Sequence, residues 1–78
     1  LEYGTDSLEM HVDAVRKGDR VVVVDDLLAT GGTAAATARL VRRCGARLLE
    51  VAFVVELGFL HGRKKLRGVP VFSIVRYE

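Results

Sequence analysis

The sequence predicts an α/β fold built on a parallel sheet, and three features carry that expectation. Val21–Val24 is a run of four valines, and Val51–Val55 is a second near-continuous apolar run. Strands buried on both faces of a parallel sheet read this way, whereas half-exposed strands alternate. Between the runs, Ala34, Ala38, Val41 and Cys44 recur at helical spacing. Strand, helix and strand in that order form a parallel crossover unit.

Residues 1–6 read as a loop rich in turn formers. From Ser7 to Val15, Leu8, Met10 and Val12 alternate with Glu9, His11 and Asp13, which predicts a half-exposed edge strand. Arg16-Lys17-Gly18-Asp19 supplies a turn. Arg20 to Asp25 is then a strand, Asp26 to Gly32 a loop, and Thr33 to Cys44 a helix. Arg39, Arg42 and Arg43 fall on its outer face, and the last two suit the negative end of the helix dipole. Gly45 is placed to end the helix in a left-handed conformation. Arg47 to Glu56 is the second strand, Leu60 to Leu66 a short helix after Gly58, and Val71 to Val75 a last strand. Pro70 has no N–H for a ladder and fits the position just ahead of that strand.

Composition narrows the function. The 78 residues are 50% apolar and 28% charged, the profile of one small globular domain and not of a disordered chain. The apolar runs fall far short of the roughly 20 residues needed to span a bilayer, and the first residues show no secretory signal. A single cysteine, Cys44, gives no sign of an oxidising compartment, which leaves the cytoplasm as the expected location. His11 and His61 lack the neighbours of a structural zinc site. Net charge is only +2, with basic clusters at Arg39, Arg42, Arg43 and at Arg63, Lys64, Lys65, Arg67. No aromatic residues interleave with them for base stacking, so they read as solvated faces and no nucleic-acid partner is expected. One good helix and one short one are too few to cover both faces of an apolar sheet. A partner chain, or the missing N-terminal half of a longer domain, is expected to supply the remainder.

The segment from Val21 to Thr33, VVVVDDLLATGGT, carries the chemistry. A buried strand leads into Asp25 and Asp26, then into Ala29-Thr30-Gly31-Gly32-Thr33 and the start of a helix. In open α/β sheets, ligands bind outside the carboxyl ends of the strands. Adjacent acids there are costly unless exposed or paired with donors. The glycines allow a tight turn, and the first N–H groups of the helix have no partner within it. With the helix dipole they form a phosphate cradle, to which the Thr30 and Thr33 hydroxyls add donors. Carboxylates that accept from ribose hydroxyls, followed by a phosphate receptor, suit a sugar phosphate. No lysine follows Gly32, which excludes the P-loop, and the G-x-G-x-x-G dinucleotide fingerprint is absent. An ordinary strand-to-helix turn is the plainer alternative.

This segment closely resembles the signature of type I phosphoribosyltransferases, and its Asp-Asp pair with Ala-Thr-Gly-Gly-Thr is most similar to the adenine enzymes. Leu1-Glu2-Tyr3-Gly4 resembles the end of their mobile loop. Val55-Glu56-Leu57, Gly62-Arg63 and Lys65-Leu66 resemble their C-terminal region. The resemblance implies that residues 1–78 are the C-terminal portion of one type I phosphoribosyltransferase domain, a parallel sheet with flanking helices. It implies transfer of a phosphoribosyl group from 5-phosphoribosyl-1-pyrophosphate to adenine, giving AMP and pyrophosphate with Mg2+ held mainly through substrate. Asp25 and Asp26 would then hold the ribose hydroxyls, and Ala29, Thr30, Gly31, Gly32 and Thr33 the 5′-phosphate. Glu2 would assist proton transfer at the purine, and Tyr3 would help close the site. Members are commonly homodimers. Upstream segments that recognise adenine and bind pyrophosphate have no counterpart here, so activity of the 78 residues alone is not expected. A regulatory module that senses a ribose phosphate through the same loop, and a hypoxanthine- or xanthine-type enzyme, remain alternatives. Glu56 is expected to be a structural partner for a basic residue, outside the site.

Overall fold

The computed structural model describes residues 15–78. The strand expected over Ser7–Val15 lies outside the described residues, except for Val15, which sits in a bend. Three strands follow, β1 (Arg20–Leu28), β2 (Arg47–Leu57) and β3 (Val71–Tyr77), with one helix, α1 (Gly32–Arg43), between the first two. They form a sheet of order β1-β2-β3 in which both neighbouring pairs are parallel. The predicted α/β class and crossover unit are therefore present.

The expected Arg16–Asp19 turn closes with the Asp19 N–H donating to the Arg16 carbonyl at 3.0 Å and the Arg16 N–H donating to Asp19 Oδ2 at 2.8 Å. It docks on the far end of α1 through Gly18 N–H to the Gly45 carbonyl at 2.9 Å. Gly45 has φ +80, the left-handed stop expected after Cys44.

β3 runs two residues past the expected end at Val75, to Tyr77, which pairs with Leu57 of β2, and two larger departures have identifiable reasons. β1 continues to Leu28 and does not turn into a loop at Asp26, because Leu27 and Leu28 still pair with Val55 and Glu56 of β2. Leu28 is also fully buried, which draws the chain inward before it can turn. The short helix expected over Leu60–Leu66 is instead a pair of 3-10 turns, Gly58–Leu60 and Gly62–Leu66. His61, at φ 55, interrupts the helical path between them.

The core lies between α1 and one face of the sheet. Ala34, Ala35 and Ala38 of the helix meet Leu28, Val51 and Phe53, with Val23 and Val71 packed at the margin. Small alanines let the helix approach the strands closely, and Val41 completes the buried stripe. Cys44, expected on this inner side, is only half-buried. On the alternate positions of the strands, Val22, Val24, Val54, Phe72 and Ile74 are exposed among the described residues. Among the described residues one helix covers one face, and the runs of valine that announced a doubly buried sheet have their second side exposed.

Phe53 is 2% exposed at the centre of the core. Phe53→Ala is expected to lower unfolding stability by about 3–5 kcal/mol, the usual cost of emptying a buried aromatic site. Urea denaturation followed by circular dichroism checks this.

Candidate functional site

A cleft of about 200 Å³ opens at the C-terminal end of β1 and is lined continuously from Asp25 to Ala34. The structure thus brings Asp25, Asp26, Ala29, Thr30, Gly31, Gly32 and Thr33 together, as the strand-loop-helix reading requires. Leu27, Leu28 and Ala34 also line the cleft, and sequence reasoning did not single them out. Glu2 and Tyr3 lie outside the described residues.

The helix end of the cleft is built from backbone. Gly31 is the N-cap of α1 at φ 92 and provides no side-chain cap. The first helical bond runs from the Ala35 N–H to the Gly31 carbonyl at 2.9 Å. The N–H groups of Gly32, Thr33 and Ala34 precede it and have no acceptor within the helix. No acidic residue occupies the first turn, so nothing in the helix itself neutralises that positive end. Thr30 and Thr33 are exposed beside it. Backbone donors and a helix dipole arranged in this way favour an anion.

The strand end carries the opposite charge. Asp25 is half-buried and Asp26 exposed, and the Asp26 N–H donates to Asp25 Oδ1 at 2.8 Å. That bond fixes the Asp25 carboxylate over its own backbone while leaving the second oxygen for a ligand. Because β1 runs on to Leu28, both acids stand inside the strand, with Asp25 opposite Phe53 of β2. Rigid carboxylates suit hydroxyl donors at defined positions.

The floor of the loop comes from elsewhere in the chain. A Cβ on Gly31 would overlap the Gly62 carbonyl oxygen, and a Cβ on Gly62 would lie 2.5 Å from the Ala29 carbonyl oxygen and 2.9 Å from Leu28 Cδ1. The loop and the second 3-10 turn therefore touch backbone to backbone, which only glycine at both positions permits. Sequence reasoning did not connect Gly62 with this loop. Its only trace is a glycine between His61 and Arg63, and nothing in the order of residues says what it approaches.

Next to Gly62, Arg63 reaches the buried Glu56. Its Nε donates to Glu56 Oε2 at 2.8 Å and to Oε1 at 3.1 Å, and its Nη2 donates to Oε1 at 2.8 Å. Ser73 Oγ adds a bond to Oε1 at 2.7 Å. Glu56 is 2% exposed, so the basic partner expected for it is present and is Arg63. The Arg63 hydrogen bonds hold the Glu56 carboxyl below its ordinary value of 4.5, against burial, which pushes it up. Ser73 and the charges of Arg63 and Arg76 act in the same direction as the Arg63 hydrogen bonds.

With this geometry in view, the chain's relatives give it a family. Residues 2–77 match the model of the phosphoribosyl transferase domain, and the chain belongs to that family. Within the family it is similar to adenine phosphoribosyltransferases. The enzyme of that name from Synechococcus sp. is 62% identical over 78 residues, which cover 100% of this chain and 46% of that protein. The crystal structure of adenine phosphoribosyltransferase from Thermoanaerobacter pseudethanolicus superposes with a TM-score of 0.90 at 57% identity, covering 99% of this chain and 45% of that one. The Trypanosoma brucei enzyme in complex with AMP, pyrophosphate and ribose-5-phosphate has a TM-score of 0.77 at 39% identity, covering 82% of this chain and 31% of its own. The parallel sheet with its helix is thus part of the type I phosphoribosyltransferase fold, and the chain spans about half the length of the relatives it matches. Among the described residues no helix is long and apolar enough to cross a membrane.

The depressed Glu56 value has a stability consequence. A carboxyl whose folded value lies below its unfolded value stabilises the fold above the unfolded value, and that contribution is lost as pH falls through the folded one. Wild-type stability is therefore expected to decline as pH drops from about 4.5, the ordinary value for the group. Glu56→Gln is expected to be less stable at neutral pH and to show a flatter decline on acidification. Thermal melting between neutral pH and pH 3, compared for the two proteins, checks both.

Proposed function

We propose that the cleft binds the ribose 5-phosphate portion of 5-phosphoribosyl-1-pyrophosphate and that the protein takes part in purine salvage by transferring that group to adenine. The observation that carries this reading is the pairing of an open helix N-terminus with adjacent carboxylates in one cleft. A sugar phosphate has the complementary order of groups, hydroxyls that donate at one end and a dianion at the other. Asp25 and Asp26 accept from the ribose 2′- and 3′-hydroxyls. The backbone of Ala29, Gly31 and Gly32 and the hydroxyls of Thr30 and Thr33 hold the 5′-phosphate. The ribose-5-phosphate in the Trypanosoma brucei relative supports this choice of ligand.

In the transfer, the bond from the anomeric carbon to pyrophosphate breaks and a purine ring nitrogen forms the new bond, giving AMP. Positive charge develops on the sugar between the two events. Carboxylates fixed at its hydroxyl edge keep the ring in place, and phosphate held at the loop prevents it from rotating. Glu2 takes up or relays the purine proton and Tyr3 closes over the site, so that water does not intercept the sugar. Adjacent Asp25 and Asp26 are hard oxygen donors, compatible with Mg2+ that keeps most of its water and binds chiefly through substrate. Mg2+ would neutralise the departing pyrophosphate. Purine and pyrophosphate contacts come from chain beyond these residues, and a cytoplasmic homodimer completes the proposal.

Removing one charge-assisted hydrogen bond costs about 1.5–3 kcal/mol, or roughly 10- to 150-fold in affinity. Asp25→Asn and Asp26→Asn are each expected to weaken ribose 5-phosphate binding by that order in isothermal titration calorimetry. Unchanged affinity in both variants would sink the assignment. Formation of AMP from adenine, 5-phosphoribosyl-1-pyrophosphate and Mg2+ by a chain that also carries the purine and pyrophosphate contacts, lowered by Asp26→Asn by the same order, is the corresponding test of transfer.

A further inference from the structure

We propose that the pair formed by the buried Glu56 and the partly exposed Arg63 is a positioning device for the phosphate-binding loop and acts on it through Gly62. The inference rests on reading that loop as the phosphate site. Gly62 is wedged against Ala29 on one side and Gly31 on the other, both in the loop. Among the described residues no backbone hydrogen bond joins the loop to this 3-10 turn, so the contact is one of shape alone. A contact of shape positions the loop only as well as Gly62 itself is positioned. Its neighbour Arg63 supplies that restraint, because a planar guanidinium forked onto a carboxylate fixes direction as well as distance. Ser73, on β3, locks the Glu56 carboxylate from a second strand.

The energetics favour a positioning role over a purely structural one. Desolvation of the buried Glu56 carboxylate offsets much of its attraction to Arg63, and apolar residues in place of such a pair are often as stable. The turn is anchored to the core independently, by Leu66 at 3% and Val69 at 8% exposure. The apolar anchoring of the turn does not depend on the charge pair. The loop needs Gly62 held in one orientation beneath it, which apolar packing does not specify.

The double substitution Glu56→Met with Arg63→Met removes the pair without stranding a buried charge. It is expected to retain the melting temperature to within a few degrees, while the dissociation constant for ribose 5-phosphate rises about tenfold, the lower end of the loss of one charge-assisted bond. Arg63→Lys, which keeps the charge but not the fork, is expected to fall between wild type and the double variant. Gly62→Ala acts directly at the contact and is expected to reproduce the loss of affinity, and Arg63→Lys carries the test of the pair if the double variant does not fold. Folded variants that bind ribose 5-phosphate as tightly as wild type would overturn the positioning role and leave the phosphate site intact. Failure of the wild-type chain to bind ribose 5-phosphate would overturn both.

Discussion

Parallel pairing of β1 with β2 is the constraint from which the remainder of the molecule follows. Two parallel neighbours cannot be joined by a tight turn, so the chain must leave the C-terminal end of β1, return along one face as α1 and enter β2 beside it from the opposite end of the sheet. That route places the last residues of a strand, a short loop and a helix N-terminus at one end of the sheet. Acidic side chains at the strand end and open N–H groups at the helix end then face a common cleft. The site is a consequence of the crossover. The particular residues at Asp25, Asp26 and Ala29–Thr33 decide what it can hold.

A glycine loop at such a position would have many conformations if nothing lay beneath it. Here the loop is supported by the backbone of a second, distant segment, and that segment is tied to the sheet by a carboxylate buried between β2, β3 and the 3-10 turn. The buried charge draws its stability from donors that satisfy it fully, which is why its carboxyl is held ionised in spite of burial. A short path of contacts thus runs from Glu56 to Arg63, Gly62 and Gly31.

The open face of the sheet has a different meaning. Val24 and Ile74 are 73% and 68% exposed on strands whose composition is that of a buried interior. The relatives that share this fold are about twice as long.

Much of this was legible in the sequence because it depended on local pattern. Consecutive valines marked the parallel strands, alanine spacing marked the helix, and the Asp-Asp and Gly-Gly pairs marked the two ends of the cleft. The boundaries that shifted were set by tertiary contact. Leu28 extends β1 because it is buried under the turn, and His61 breaks the expected helix into 3-10 turns. Glu56 was read as a structural partner for a base, but the identity of that base depended on how the turn folds back. The role of Gly62 was hidden because close approach to Ala29 and Gly31 joins residues far apart in the chain. Glu2 and Tyr3 remain readings from resemblance, outside the described residues.

The claim that the Ala29–Thr33 loop is a phosphate receptor is tested most directly by following backbone amide resonances during titration with ribose 5-phosphate. The account predicts that the largest shifts fall on Gly31, Gly32, Thr33 and Ala34, whose N–H groups are open to the ligand, with smaller ones at Asp25 and Asp26. Shifts confined to the arginine-rich outer face of α1, with those amides unmoved, would contradict it.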